Sequence, residues 1–122
     1  MKDALLLFII FESSALLIGA LGIPMWQRKI KPNRAYGFRT KLTLQNPKIW
    51  YEVNAVSGMQ MAYFGVIMAV ASAVLLLLHE KMAIVVFLLI YVVVLITGLI
   101  IITVKGIALA RKLHDQGWGG KE

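Results

Sequence analysis

The sequence predicts an all-α integral membrane protein: three transmembrane helices, with a basic cytoplasmic loop between the first and the second. Three observations lead there. Of 122 residues, 60% are hydrophobic and 16% charged, whereas a soluble domain is nearer half apolar and a quarter charged, roughly. The apolar residues concentrate in three almost uncharged blocks, 4–26, 59–78 and 82–104. Each is about 20 residues or a little more, enough to cross about 30 Å of hydrocarbon at about 1.5 Å per residue. Finally, eleven of the thirteen Lys and Arg residues fall on one side of a chain that crosses three times.

The chain reads as a single membrane domain, 1–122. The first span covers about 4–26. A cleaved signal peptide would have a shorter apolar region, a richer basic start than Lys2 alone, and small residues where Met25 and Trp26 stand. The loop 27–46 carries Arg28, Lys29, Lys31, Arg34, Arg39 and Lys41 with no acid. Lys31-Pro32-Asn33 and Tyr36-Gly37 within it read as turns. Asn46 and Pro47 then form a helix start, an N-cap followed by a proline whose missing N–H would have no partner there. No strong breaker follows, so the second helix should run over about 47–78, longer than the hydrocarbon, with its first turns at the interface. The third span covers about 82–104, and 105–122 is a tail holding Lys105, Arg111, Lys112 and Lys121.

Basic flanks stay in the cytoplasm. The N-terminus and the short 79–81 turn are therefore expected outside, and the loop and the C-terminal tail inside, in a bacterial plasma membrane. The net charge of +7 fits contact with anionic lipid heads. No nucleic-acid-reading module is present, so no nucleic-acid partner is expected.

Small residues mark packing faces. Trp50, Asn54 and Gly58 recur at a spacing of four, with Gly65, Ala69 and Ala73 on a nearby face and Ala15 and Gly19 as a matching seam on the first helix. Trp50 and Tyr51 stand where an interfacial aromatic belt is expected. Asn54, turned toward the bundle, needs hydrogen-bond partners, and the preceding loop can supply them.

Tyr36-Gly37-Phe38-Arg39-Thr40, then Thr43-Leu44, Asn46, Trp50, Asn54 and Gly58, resemble the signature of the SdpI family of bacterial membrane proteins in order and spacing. The resemblance covers about 23 residues as a motif, and the hydropathy layout extends it over most of the chain. Its best-known members have further helices before this three-helix module. They act as immunity factors against a secreted peptide toxin and as signal transducers that capture a cytoplasmic repressor. The resemblance thus implies an immunity or signalling protein that binds a hydrophobic peptide or lipid in the bilayer and a cytoplasmic regulatory protein at its basic face, with the motif residues as the binding site. A small transporter or flippase, or a purely structural assembly protein, are the alternatives. Three helices enclose little volume, so a homo-oligomer is expected.

Two residues leave alternatives open. Arg39 precedes a helix N-terminus whose free amides and dipole favour an anion. It either serves a ligand or partner, or ties the loop to Glu52 or to a C-terminal carbonyl. Glu12 lies deep in the first span beside Ser13 and Ser14. An ionisable group there costs on the order of 3 kcal/mol on insertion scales and should face protein or a wet cavity. It is either a proton or ligand site or a hydrogen-bonded packing residue. Catalysis finds little support: there is no Cys, and the two His residues, His79 and His114, fall on opposite sides. No enzyme activity, cofactor or metal site is expected.

Overall fold

In the computed structural model, which describes residues 1–118, the elements run α1 (Lys2–Trp26), α2 (Lys41–Gln45), α3 (Pro47–Leu77), a 3-10 turn (His79–Lys81) and α4 (Ile84–Asp115). Among the described residues there is no strand, and α1, α3 and α4 are each long and apolar enough to cross a membrane. The protein is an all-α membrane protein with three spanning helices. The central helix is α3: α1 and α4 both pack against it and touch one another little.

Length divides the molecule into two storeys. With 31 and 32 residues, α3 and α4 are each about 47 Å long, some 17 Å more than the hydrocarbon needs. Both overshoot at the end where the 27–46 loop lies. Sequence reading ended the third span at 104, where charge begins; the helix instead continues to Asp115. Lysine, arginine and leucine sustain helix well, and nothing breaks the run until Gly117, which takes φ 81° in a Schellman cap. There the Trp118 N–H reaches the Leu113 carbonyl and the Gly117 N–H the His114 carbonyl. Lys121 lies outside the described residues.

The first helix ends in the same motif with an unusual residue. Arg28 takes φ 60°, the Lys29 N–H bonds the Pro24 carbonyl at 3.0 Å and the Arg28 N–H the Met25 carbonyl at 3.1 Å. Glycine is the usual occupant of that left-handed position. Arg28 holds it with its guanidinium 2.7 Å from Glu52 on α3.

Two apolar cores follow from the two storeys. The core between the spans gathers Phe11, Ala15, Phe64, Met68, Leu75, Phe87, Tyr91 and Ile102. A second, smaller core at the overshooting ends joins Ile49 and Val53 of α3 to Ala110 and Leu113 of α4, with Phe38 and Leu42 packed on it. The segment 27–46 together with these helix ends forms a cap over one end of the bundle.

Close helix approach depends on glycine. A Cβ on Gly22 would stand 2.5 Å from the Gly58 carbonyl oxygen, and one on Gly65 would stand 2.8 Å from the Ala15 carbonyl oxygen. The α1–α3 seam therefore runs through Ala15, Gly19 and Gly22 against Gly58 and Gly65, as small-residue packing in a membrane requires. Ala69 is only partly buried and Ala73 is exposed, so the face expected to continue through Ala73 turns to lipid. Ser72, seven residues past Gly65, continues the seam instead and is fully buried.

Candidate functional site: a motif-built cap and a polar layer in the membrane

Most motif residues meet around Asn54. This side chain is 2% exposed. Its Oδ1 accepts the Phe38 N–H at 2.6 Å, and its Nδ2 donates to the Trp50 carbonyl at 2.9 Å and the Phe38 carbonyl at 3.3 Å. Gly37, at φ 117°, passes so close that a Cβ there would lie 2.7 Å from Asn54 Oδ1 and 3.1 Å from the Trp50 ring. Glycine is required twice over, for the backbone angle and for the space. Asn54 thus clamps the loop backbone onto α3.

Threonine takes up the next turn. Thr40 caps α2: its Oγ1 accepts the Thr43 N–H, and Thr43 Oγ1 accepts the Thr40 N–H at 2.8 Å. This reciprocal pair is a capping box with Thr in place of the usual Glu or Gln. It explains why part of the expected turn-rich loop is helical. Asn46 then caps α3, its Oδ1 accepting the Lys48 N–H at 3.0 Å and the Ile49 N–H at 3.4 Å. Its Nδ2 donates to the Trp118 carbonyl, which ties the α3 start to the α4 end.

The aromatic residues fasten the cap rather than float in the interface. Trp50 is fully buried, and its indole N–H donates to the Ile30 carbonyl at 2.8 Å. The expected belt position at Trp50 is thus corrected: the side chain is inside the fold, because the loop folds over it. The Phe38 ring lies on Gly106 of α4, where a Cβ would come within 2.5 Å of it. Tyr36 donates its hydroxyl to the Leu21 carbonyl of α1. Burial pushes the Tyr36 phenol above its ordinary value, which extends its range as a protonated donor to more alkaline pH.

Arg39 behaves otherwise. Its guanidinium is exposed and donates to the Arg34 carbonyl within the loop. Among the described residues, neither the Asn46–Pro47 helix start nor a carboxylate receives it. Glu52, the carboxylate expected to be within its reach, pairs with Arg28. Lys29, Lys31, Arg34 and Lys41 are also exposed. The motif's polar atoms face inward, and the cations stand on the outside of the backbone those atoms hold.

Within the membrane, Glu12 joins a polar layer. It sits ten residues past the start of α1, about 15 Å in and near the middle of the bilayer. Its Oε1 is hydrogen-bonded to the Ser72 hydroxyl of α3. Two residues along α1, Ser14 Oγ lies 2.8 Å from the Tyr91 hydroxyl, which donates to the Phe11 carbonyl at 2.8 Å. The Tyr91 ring stacks on Phe11 with centroids 3.7 Å apart. Side chains of all three spanning helices therefore contribute to one layer.

Several of these residues escaped sequence reading. Gly98 and Gly106 are spaced eight apart on one face of α4, and each receives a phenyl ring, from Phe64 and Phe38 respectively; their spacing in an otherwise branched helix was the available signal. Ser72 and Tyr91 had no local signal, since only the folded bundle brings them to Glu12 and Ser14. Arg28 was read as a topology charge, and its left-handed turn is visible only in three dimensions. Among the described residues no group of His, Asp and Glu could hold a metal ion.

Neither the curated proteins nor the solved structures contain a match to this chain. The family model described as the SdpI/YfhL protein family matches residues 29–105, which span most of the 27–46 segment, all of α3 and α4 as far as Lys105, and the chain belongs to that family.

Proposed function

We propose that this chain is an immunity or signal-transducing protein of the bacterial plasma membrane. It engages a hydrophobic peptide or lipid within the bilayer and an acidic cytoplasmic protein at the outer face of its cap. On this reading the N-terminus lies outside, the cap and C-terminus lie in the cytoplasm, the protein works as a homo-oligomer, and it carries out no enzymatic chemistry.

One observation carries the reading. The motif spends its polar side chains on holding its own backbone, and it leaves Lys31, Arg34, Arg39 and Lys41 exposed on that ordered backbone. Cations on a mobile tether would lose conformational freedom on binding; cations on a folded cap have already lost much of it. A fixed single-sign patch also steers an oppositely charged partner. Family membership supplies the immunity and signalling context.

The test places a photocrosslinking residue at position 44, an exposed site between the cations Arg39 and Lys41 and the start of α3, in living cells. The expected result is a crosslink to a soluble acidic protein that is lost in an Arg39→Glu, Lys41→Glu variant of equal abundance. The same variant should lose any protection the protein confers against a membrane-active peptide. Crosslinks to lipid alone, or a protein crosslink indifferent to the reversed charges, would contradict the partner reading.

A second reading, a small oligomeric transporter, is favoured by the layer around Glu12, Ser72 and Tyr91 alone. Ion or solute flux in proteoliposomes that disappears in Glu12→Gln would select it. Flux absent from both proteins leaves Glu12 as a packing residue.

A further inference from the structure

A groove of about 520 Å³ runs along the outer surface between α3 and α4. Its floor is Phe64 packed on Gly98, and its walls include Ile67 and Val94. The lining is graded in polarity along its length. Phe64 and Gly98 fix the register of the two antiparallel helices. From that level, Ile67 and Val94 lie toward the turn at His79–Lys81. Gln60 and Lys105 lie toward the cap, about 6 Å and about 10 Å away by helical rise.

The polar end is incomplete. Gln60 Oε1 is buried and has no hydrogen-bond partner in the fold. An acceptor left unpaired away from water is costly, and such atoms are rare in folded proteins. Lys105 lines the same groove, is exposed, and is the first charge met on α4 in the direction of the cap. It therefore marks the level of the lipid heads. An occupant that completes this site has an apolar chain for one end, and an anion beside a hydroxyl donor for the other.

We propose that the α3–α4 groove is a site for one anionic phospholipid with a hydroxylated head, of the phosphatidylglycerol type. An acyl chain lies over Phe64 toward Ile67 and Val94. The phosphate meets Lys105, and the Gln60 side chain, whose Oε1 is enclosed and unpaired in the lipid-free fold, turns outward to accept a head-group hydroxyl. This site deepens the lipid arm of the function proposed above and rests on it; the partner at the cap is not involved.

Native mass spectrometry of the detergent-purified protein, titrated with lipids of identical acyl chains, tests the site. Phosphatidylglycerol should bind at least roughly fivefold more tightly than phosphatidylcholine, the worth of about one near-surface cation. Lys105→Gln should remove that preference, whereas Lys81→Gln, at the other end of the bundle, should keep it. Phosphatidylmethanol has the same charge without the hydroxyls. It should bind severalfold more weakly than phosphatidylglycerol to the wild type and equally well to Gln60→Leu. Equal binding of phosphatidylglycerol and phosphatidylcholine by the wild type would overturn the proposal, and that comparison needs no variant to fold. A lipid-free dimer that excludes phosphatidylglycerol would overturn it too, because a second copy would then occupy the groove. A lipid result of either sign leaves the cap crosslink free to succeed or fail separately.

Discussion

The two storeys of this protein are held together by different physics. Between the spanning helices the decisive contacts are backbone against backbone, Gly22 on Gly58 and Gly65 on Ala15. Lipid tails are as apolar as leucine, so apolar side chains gain little by leaving them, and close packing must supply the attraction. In the cap, water competes for every polar group. Order there comes from polar atoms that have been taken out of water and paired, around Asn54 above all. One storey is specified by what is missing from its side chains, the other by the hydrogen bonds its side chains make. Substitutions should therefore fail in distinct ways.

The largest effect is expected at the seam. Gly58→Val puts a branched side chain where even a Cβ collides with the Gly22 carbonyl and with Met25. Overpacking costs about 1–3 kcal/mol, occasionally more, and here the obstacle is backbone. Thermal unfolding in detergent should drop sharply, and a cysteine pair engineered across α1 and α3 should stop crosslinking. Retained crosslinking would show that the seam is not the contact that holds the spans.

Asn54→Ala comes next. It orphans the part-buried Phe38 N–H and removes the bonds to the Phe38 and Trp50 carbonyls. An unpaired buried donor costs about 1–3 kcal/mol. The loss should be local: proteolysis within 30–46 should accelerate while the spans stay assembled. Equal destabilisation of both storeys would merge them into one cooperative unit.

Tyr36→Phe should cost less, about 0.5–1.5 kcal/mol for one hydrogen bond. The pH dependence has a definite sign. Burial raises the phenol in the folded state above its ordinary 10.0, so folding favours the protonated form. That contribution is complete below pH 10 and is lost as pH rises through the folded value. Wild-type cap protection should thus weaken at strongly alkaline pH, and the part due to this residue should be missing in Tyr36→Phe.

Smallest is the effect of Arg39→Ala on stability. Its guanidinium is exposed and its bond goes to a carbonyl of the same loop, a contact that water competes for. The change should be below about 1 kcal/mol, in the range of Arg28→Ala, which breaks an exposed ion pair. The same Arg39→Ala should weaken partner crosslinking severalfold. A cap that melts in Arg39→Ala would place this residue among the fasteners instead.

The membrane class was legible because hydropathy and length are one-dimensional properties. Three uncharged blocks of the right length admit few readings. Helix starts with a chemical signal were legible as well: Asn46-Pro47 opens α3 as its residue types demand. What hydropathy does not encode is rotation. Every face of a spanning helix is apolar, so the spacing pointed to Ala73, and only packing reveals that the seam passes through Ser72. The full length of α4 was not legible for a related reason: charge marks where the membrane stops, and the helix had no cause to stop with it. In the candidate site, Asn54 announced itself as a polar residue on a packing face. The contact of Arg39 was not legible: its charge and position pointed to Glu52 as one of its possible partners, while the left-handed turn that delivers Arg28 to Glu52 has no glycine to announce it.

The central claim is that the motif builds a folded cap independent of any partner. Hydrogen exchange of the purified protein in lipid nanodiscs tests it most directly. Amides of 38–54 should exchange far more slowly than those of Ile30 and Lys31, the Phe38 amide most slowly within the loop, and Asn54→Ala should abolish that protection while α1 and the membrane part of α4 stay protected. Rapid exchange throughout 29–46 in the wild-type protein would contradict the account and return the segment to a charged tether.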